Sequence, residues 1–239
     1  GYSQYKNKNN NDIIILESDG TANINPVWSK DGKKLLFLSD KGNDFFNKTD
    51  LYIYDFENEE SEKIVAGVKG TASWINDSTV VYSKISLPNK NGSKFFDIYK
   101  YNIESEKEDR LTYGKRLYSP SYSEELNKIV AVNQYDGTSN IMVSDLSDSL
   151  YFTSITNYNN GFQIFNADWL NSRIIFDAMA SHGRDIYSIS LLGDDIIILE
   201  KDYYDERDPY FGKDLNHLVW SEDKGAIFNL YGHNLNNQD

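Results

Sequence analysis

The stretch NPVWSKDGKKLLFLSD, residues 25–40, carries a proline, a tryptophan, an Asp-Gly pair and an apolar run, in that order. Asp31-Gly32 is a strong signal for a tight hairpin, because Gly adopts positive φ without a Cβ clash. The flanking residues then read as two antiparallel strands, one ending at Trp28 and one running over KLLFLSD (34–40). The pattern is not confined to this stretch. Trp28 has counterparts at Trp74, Tyr122, Trp169 and Phe211, at steps of 46, 48, 47 and 42 residues. Pro26, Pro120 and Pro209 stand two residues before three of these aromatics, and Ala72 and Ala167 fill that slot in the other two copies.

Each aromatic is followed by a short polar turn and an apolar run of strand length: TVVYSKI (79–85), KIVAVNQ (128–134), RIIFDAM (173–179) and HLVWSED (217–223) match KLLFLSD. A third run opens on Asp or Asn: DLYIYDF (50–56), DIYKYNI (97–103), NIMVSDL (140–146), DIYSISL (185–191) and NLYGHNL (229–235). The Asp opening this run reads as bonding local backbone at a strand start. A fourth strand closes a unit in EKIVAG (62–67), DRLTYG (109–114), FTSITN (152–157) and DIIILE (195–200). No segment sustains an apolar period of 3.6 residues. Four short strands every 42–48 residues are the arithmetic of a β-propeller blade.

The expected fold is therefore all-β: a propeller of five four-stranded blades, at about 26–66, 72–113, 119–157, 166–201 and 208–235, forming one domain over 12–239 after a polar segment at 1–11. DIIILE also occurs at 12–17. By phase it is an outermost strand without its blade, while the fifth unit has no fourth strand. Pairing the two near 227–232 closes the ring and removes two open edges. The rival reading is a fragment of a ring of six or more blades. The aromatic at the end of each innermost strand is expected to pack between neighbouring blades.

The formal net charge of −13 opposes binding to nucleic acid, whose phosphates require a basic face, and to anionic membranes. With no cysteine there is neither a disulfide nor a thiolate site. No apolar run approaches the ~20 residues of a membrane-spanning helix.

The repeats resemble the PD40 (WD40-like, TolB-type) propeller repeat. NPVWSKDGKKLLFLSD followed by TDLYIYDF is close to it, SW with DIYKYNI less so, and SPSYS, GRDIYSISL and DPYF looser still. A second proline of the repeat is missing throughout, and Lys30 stands in its place in the first copy. The resemblance spans about 12–235. It implies a non-catalytic scaffold outside the cytoplasm, in the periplasm or cell envelope, that binds a protein or peptide partner as a monomer or as part of a larger envelope protein. Two alternatives stay open: an accessory, gating propeller of a larger hydrolase, and a glycan-active propeller using Asp168 and Asp208.

Sequence signatures of catalysis are absent: there is no nucleophile elbow, zinc-binding His pair, P-loop or dinucleotide fingerprint. No catalytic residue, cofactor or metal ligand is assigned. An oxygen-rich loop with Asp40, Gly42, Asn43, Asp44 and Asp50 matches no defined calcium spacing and reads as a solvated turn. In a propeller the loops before each innermost strand share a face with those between second and third strands, and such loops commonly carry function. On that face the sequence places Phe45, Phe46, Tyr135, Asp136, His182, Arg184, Tyr203, Tyr204 and Arg207. Tyr and Arg dominate binding hot spots, so these residues form the candidate binding surface.

Overall fold

A computed structural model describes residues 22–43, 48–147, 150–212 and 216–236. Among them the regular structure is all β, in five antiparallel sheets arranged as a five-bladed propeller. Blade 1 contains β1 (Asn23–Trp28), β2 (Lys34–Ser39), β3 (Asp50–Asp55) and β4 (Glu60–Val65). Blade 2 contains β5 (Val68–Asn76), β6 (Thr79–Ile85), β7 (Phe96–Asn102) and β8 (Lys107–Arg110). Blade 3 contains β9 (Leu117–Ser123), β10 (Lys128–Tyr135), β11 (Thr138–Asp145) and β12 (Thr153–Ser154). Blade 4 contains β13 (Ile164–Leu170), β14 (Arg173–Met179), β15 (Arg184–Ile189) and β16 (Ile196–Glu200). Blade 5 has three strands among the described residues: β17 (Glu206–Gly212), β18 (His217–Asp223) and β19 (Phe228–Asn234). Residues 12–17, the expected partner of β19, lie outside the described residues, as do Phe45 and Phe46.

Within each blade every strand pairs with the next in sequence, so each blade is a meander. The first hairpin forms as its residues dictate. Gly32 has φ 70°, its amide donates to Ser29 O at 3.0 Å, and Asp31 Oδ1 accepts from Ser29 Oγ and from the Lys33 amide.

The second strands of blades 1 to 4 are apolar without alternation because both of their faces are covered, whereas β18 of blade 5 alternates. In β6, Val80 and Tyr82 pack with Leu36, Leu38, Leu51 and Ile53 of blade 1, while Val81 turns to Leu117, Ile129 and Ala131 of blade 3. Blades 3 and 4 meet through Val130, Val132, Ile174 and Phe176, and blades 4 and 5 through Ile175, Ile186, Leu218 and Trp220. The core is thus a series of layers between blades.

In blades 1 to 3 the Asp or Asn opening the third strand does not make the local backbone bond expected from sequence, whereas in blade 5 Asn229 does, donating to Ile227 O at 3.3 Å, and in blade 4 Asp185 accepts from the Tyr187 hydroxyl. Asp50 accepts from the Gly67 amide at 2.9 Å, Asp97 from Gly114 and Lys115, and Asn140 from Tyr158 at 2.7 Å. Each side chain reaches across its blade to fasten the segment that leaves for the next one.

Four of the five end-of-strand aromatics pack between blades, Tyr122 half-buried among them, and one does not. Trp74, Trp169 and Phe211 are 8 % exposed and sit between blades. Trp28 is 57 % exposed and stacks on Phe56 of its own blade at 4.9 Å. Trp74→Ala or Trp169→Ala is expected to destabilise the protein by about 3–5 kcal/mol, and Trp28→Ala by about 1 kcal/mol or less. Urea denaturation of the three variants checks this ranking.

Candidate functional site

The innermost strands β1, β5, β9, β13 and β17 surround a central cavity of about 490 Å³. Each carries a break in its register with the second strand: between Ile24 and Val27, Val68 and Ala72, Tyr118 and Ser121, Ile164 and Ala167, and Arg207 and Tyr210. A bulge of this kind bends the strand and redirects a side chain. Asn25, Gly70, Ser119 and Asp208 lie in these bulges with φ between 49° and 86°. The prolines fit here because the ladder hydrogen bond they lack is already broken. The inner strand continues past the bulge toward the loop face, so each blade begins two to four residues before the position expected from sequence.

The bulged residues bond from blade to blade. Asn25 Nδ2 donates to Gly70 O at 2.7 Å. A Cβ on Gly70 would lie 2.5 Å from Ser119 Oγ, so only glycine allows blades 2 and 3 to meet this closely. Ser119 Oγ donates to Asn166 Oδ1 at 3.0 Å, and Asn166 Nδ2 donates to Asp208 Oδ1. One layer away, Trp74 Nε1 donates to Val27 O at 3.1 Å, Trp169 Nε1 to Ser121 O at 3.0 Å, and Ser121 Oγ to Asp168 Oδ1 at 2.5 Å. Lys30 pairs with Glu124 at 2.7 Å, joining blades 1 and 3 at the hairpin end of the cavity.

Asp168 and Asp208, the candidate glycan-active carboxylates, are therefore held by Ser121 and Asn166 of the preceding blade. Burial raises the pKa of both. Asp177, fully buried, accepts from the Asn166 amide and pairs with Arg184 at 2.8 Å. Burial outweighs that pair and lifts its carboxyl to about 6.

The loop face is built differently. The loops after β2, β6, β10 and β14 and those before β5, β9, β13 and β17 emerge at the same end of the blades. Two aromatic–cation groups stand there. In one, the Arg116 guanidinium lies 4.6 Å from the Phe95 ring and 5.2 Å from that of Tyr135. In the other, Arg184 and Arg207 share Asp205; Arg184 covers Phe165 at 3.9 Å and Arg207 covers Phe228 at 4.4 Å. His182 packs against Tyr203 at 5.2 Å, and Lys224 lies 5.4 Å from the Tyr204 ring. Tyr135 and Tyr203 are 65 % and 80 % exposed.

The structure thus brings His182, Arg184, Tyr203, Tyr204 and Arg207 to the junction of blades 4 and 5, and places Tyr135 at that of blades 2 and 3. Asp136 is a turn residue: with Gly137 it forms the two-residue connection between β10 and β11, at φ 50° and 72°. Of the oxygen-rich loop considered for calcium, Asp40 accepts from the Ala22 amide and Asp50 is held by Gly67 and Lys63. Sequence reasoning missed Arg116, whose one signal is its place directly before an innermost strand. It also missed a set of carboxylates. Asp202, Glu206 and Glu222 have oxygen atoms within 4.8 Å of one another, and burial with the neighbouring carboxylates pushes Glu206 up to about 8.

No protein-family model matches the sequence, and no curated protein does so. Solved structures match across nearly the whole chain. TolB from Acinetobacter baumannii has a TM-score of 0.71 at 16% identity over 92% of this chain. The β-propeller domain of the Trilobed protease from Pyrococcus furiosus has a TM-score of 0.62 at 17% identity over 88%. An oligogalacturonate lyase in complex with manganese has a TM-score of 0.64 at 14% identity over 94%. At these identities the likeness is one of fold. The chain spans 53%, 64% and 65% of those three chains.

The raised pKa of Asp177 has a definite sign. Its folded-state pKa of about 6 exceeds the ordinary 3.8, so the folded protein binds the proton more tightly. This group adds stability as pH falls through about 6 toward 4, and the gain is lost as pH rises. Asp177→Asn is expected to remove on the order of 1–2 kcal/mol of the stability gained between about pH 7 and about pH 5. Urea unfolding of parent and variant at the two pH values measures the difference.

Proposed function

We propose that this chain is a non-catalytic binding propeller that holds a protein or peptide segment on its loop face, in the cell envelope outside the cytoplasm. The observation that carries the reading is the pair of aromatic–cation groups on one face, with Tyr135 and Tyr203 largely exposed. Such rings offer broad contact area at low cost in side-chain entropy, and the adjoining guanidinium and imidazole groups supply directional polar contacts. The channel carboxylates support the same reading, since Asp168, Asp177 and Asp208 each have a bonding role within the ring. The likeness to TolB agrees with a scaffold of this type.

A second reading is an accessory propeller of a larger hydrolase. The match to the propeller domain of the Trilobed protease, itself one part of a protease, favours it. Both readings use the loop face and differ in what the propeller is attached to.

The test is quantitative capture from envelope extract by the immobilised chain. Tyr135→Ser/Tyr203→Ser alters the loop face, and Lys30→Ala/Glu124→Ala alters the opposite end. The loop-face variant is expected to capture at least about fivefold less of a specific partner, as loss of aromatic anchors implies. The opposite-end variant should capture as the parent does. Equal capture by all three overturns the proposal.

A further inference from the structure

Blade 4 departs from blades 1 and 2 at the opening of its third strand. In blade 1 the buried Asp50 is met by Lys63 of the outermost strand at 3.3 Å, and in blade 2 Asp97 is met by Arg110 at 2.6 Å. Strand register puts Lys63 opposite Tyr52, Arg110 opposite Tyr99, and Ile198 opposite Tyr187. Blade 4 therefore has an isoleucine where the others have a cation. Its Asp185, buried, accepts from the Tyr187 hydroxyl at 3.1 Å.

More acid gathers beside it instead. Glu206 on β17 and Glu222 on β18 are cross-strand partners, 1 % and 2 % exposed. Asp202, in the segment between β16 and β17, brings its carboxylate to the same point, with all three groups inside 4.8 Å. Glu222 Oε2 accepts from the Trp220 indole at 3.1 Å. Lys224 rests on the other Glu222 oxygen and lies 3.8 Å from Asp202. Glu206 Oε2 is fully buried and has no hydrogen-bond partner. A buried carboxyl oxygen without a partner is strongly unfavourable, and the three acidic groups have between them one ammonium, on a flexible stem.

We propose that Asp202, Glu206 and Glu222 form a binding site for a hard divalent cation, calcium in class, between blades 4 and 5 on the loop face. The donors are all oxygen, which suits calcium, magnesium or manganese and disfavours zinc. Calcium is the best match because it accepts irregular sets of six to eight oxygens, completed by backbone carbonyls and water, whereas magnesium demands a near-ideal octahedron. On binding, the Lys224 ammonium leaves Glu222 for solvent. The ion ties the segment bearing Tyr203 and Tyr204 to β17 and β18. The proposal is independent of the peptide-binding reading.

The experiment uses the full chain, stripped with chelator and titrated with calcium chloride alone, magnesium chloride alone or terbium chloride alone. Thermal unfolding and terbium luminescence sensitised through Trp220 are the readouts. The melting temperature is expected to rise by roughly 3 °C or more at about 1 mM calcium, with a smaller rise for magnesium. Glu206→Gln should abolish both signals, and Lys224→Met should bind calcium more tightly than the parent. Asp202→Asn, altered at the less buried edge, should weaken binding on the order of tenfold or more and serves if Glu206→Gln does not fold. Absence of a calcium-dependent shift and of terbium emission in the parent overturns the site. So does a parent-like response in Glu206→Gln or, where that variant is unfolded, in Asp202→Asn.

Discussion

An indole N–H donated to the backbone of the preceding blade joins blade 2 to blade 1 and blade 4 to blade 3. Trp74 gives its proton to Val27 O and Trp169 to Ser121 O, the carbonyl one residue before the equivalent aromatic of the earlier blade. Each bond spans two sheets that share no ladder hydrogen bonds. The aromatic also carries most of its surface into the layer between blades, where it meets the second-strand apolar residues. Position and burial are thus set by one side chain. The bulges then bring Asn25, Gly70, Ser119, Asn166 and Asp208 together around the cavity.

This arrangement separates holding from binding. Polar groups facing the cavity are occupied by one another across blade boundaries, so they supply rigidity. The side chains left over stand on the loop face, where Tyr135, Tyr203 and their cationic neighbours project from the junctions of blades 2 and 3 and of blades 4 and 5. Blade 4 modifies the common plan: Ile198 takes the place of Lys63 and Arg110, and the segment leaving the blade contributes Asp202 and Glu206. The same scaffold thereby gains one acidic point among otherwise closed contacts.

Blade number and strand order were legible because they depend on local patterns: turn residues, strand-length apolar runs and a phased aromatic. The Asp31-Gly32 hairpin followed from two residues. The packing of Trp74, Trp169 and Phe211 between blades was legible from their phase, but the hydrogen bonds between blades were not, because their partners lie about 45 residues apart and meet only once the sheets are packed. The prolines at 26, 120 and 209 marked the bulges without revealing what the bulges bond. Asp50 and Asp97 looked local and proved to reach 17 residues along the chain, to Gly67 and Gly114. Of the candidate surface, the residues that meet at the junction of blades 4 and 5 stand in two short segments, 182–184 and 203–207, where Tyr, Arg and His cluster in sequence. Arg116 and Glu222 escaped notice because each sits alone in its own segment.

The central claim is that cavity-facing polar residues are bonds between blades. A double-mutant cycle on Ser121 and Asp168 tests it most directly, since the two meet at 2.5 Å across blades 3 and 4. Stabilities of the parent, Ser121→Ala, Asp168→Ala and the double variant would be measured by urea unfolding. A coupling energy of about 1 kcal/mol or more is predicted for a charge-assisted bond in a partly buried site. Additive effects, with coupling within about 0.3 kcal/mol of zero, would contradict the account.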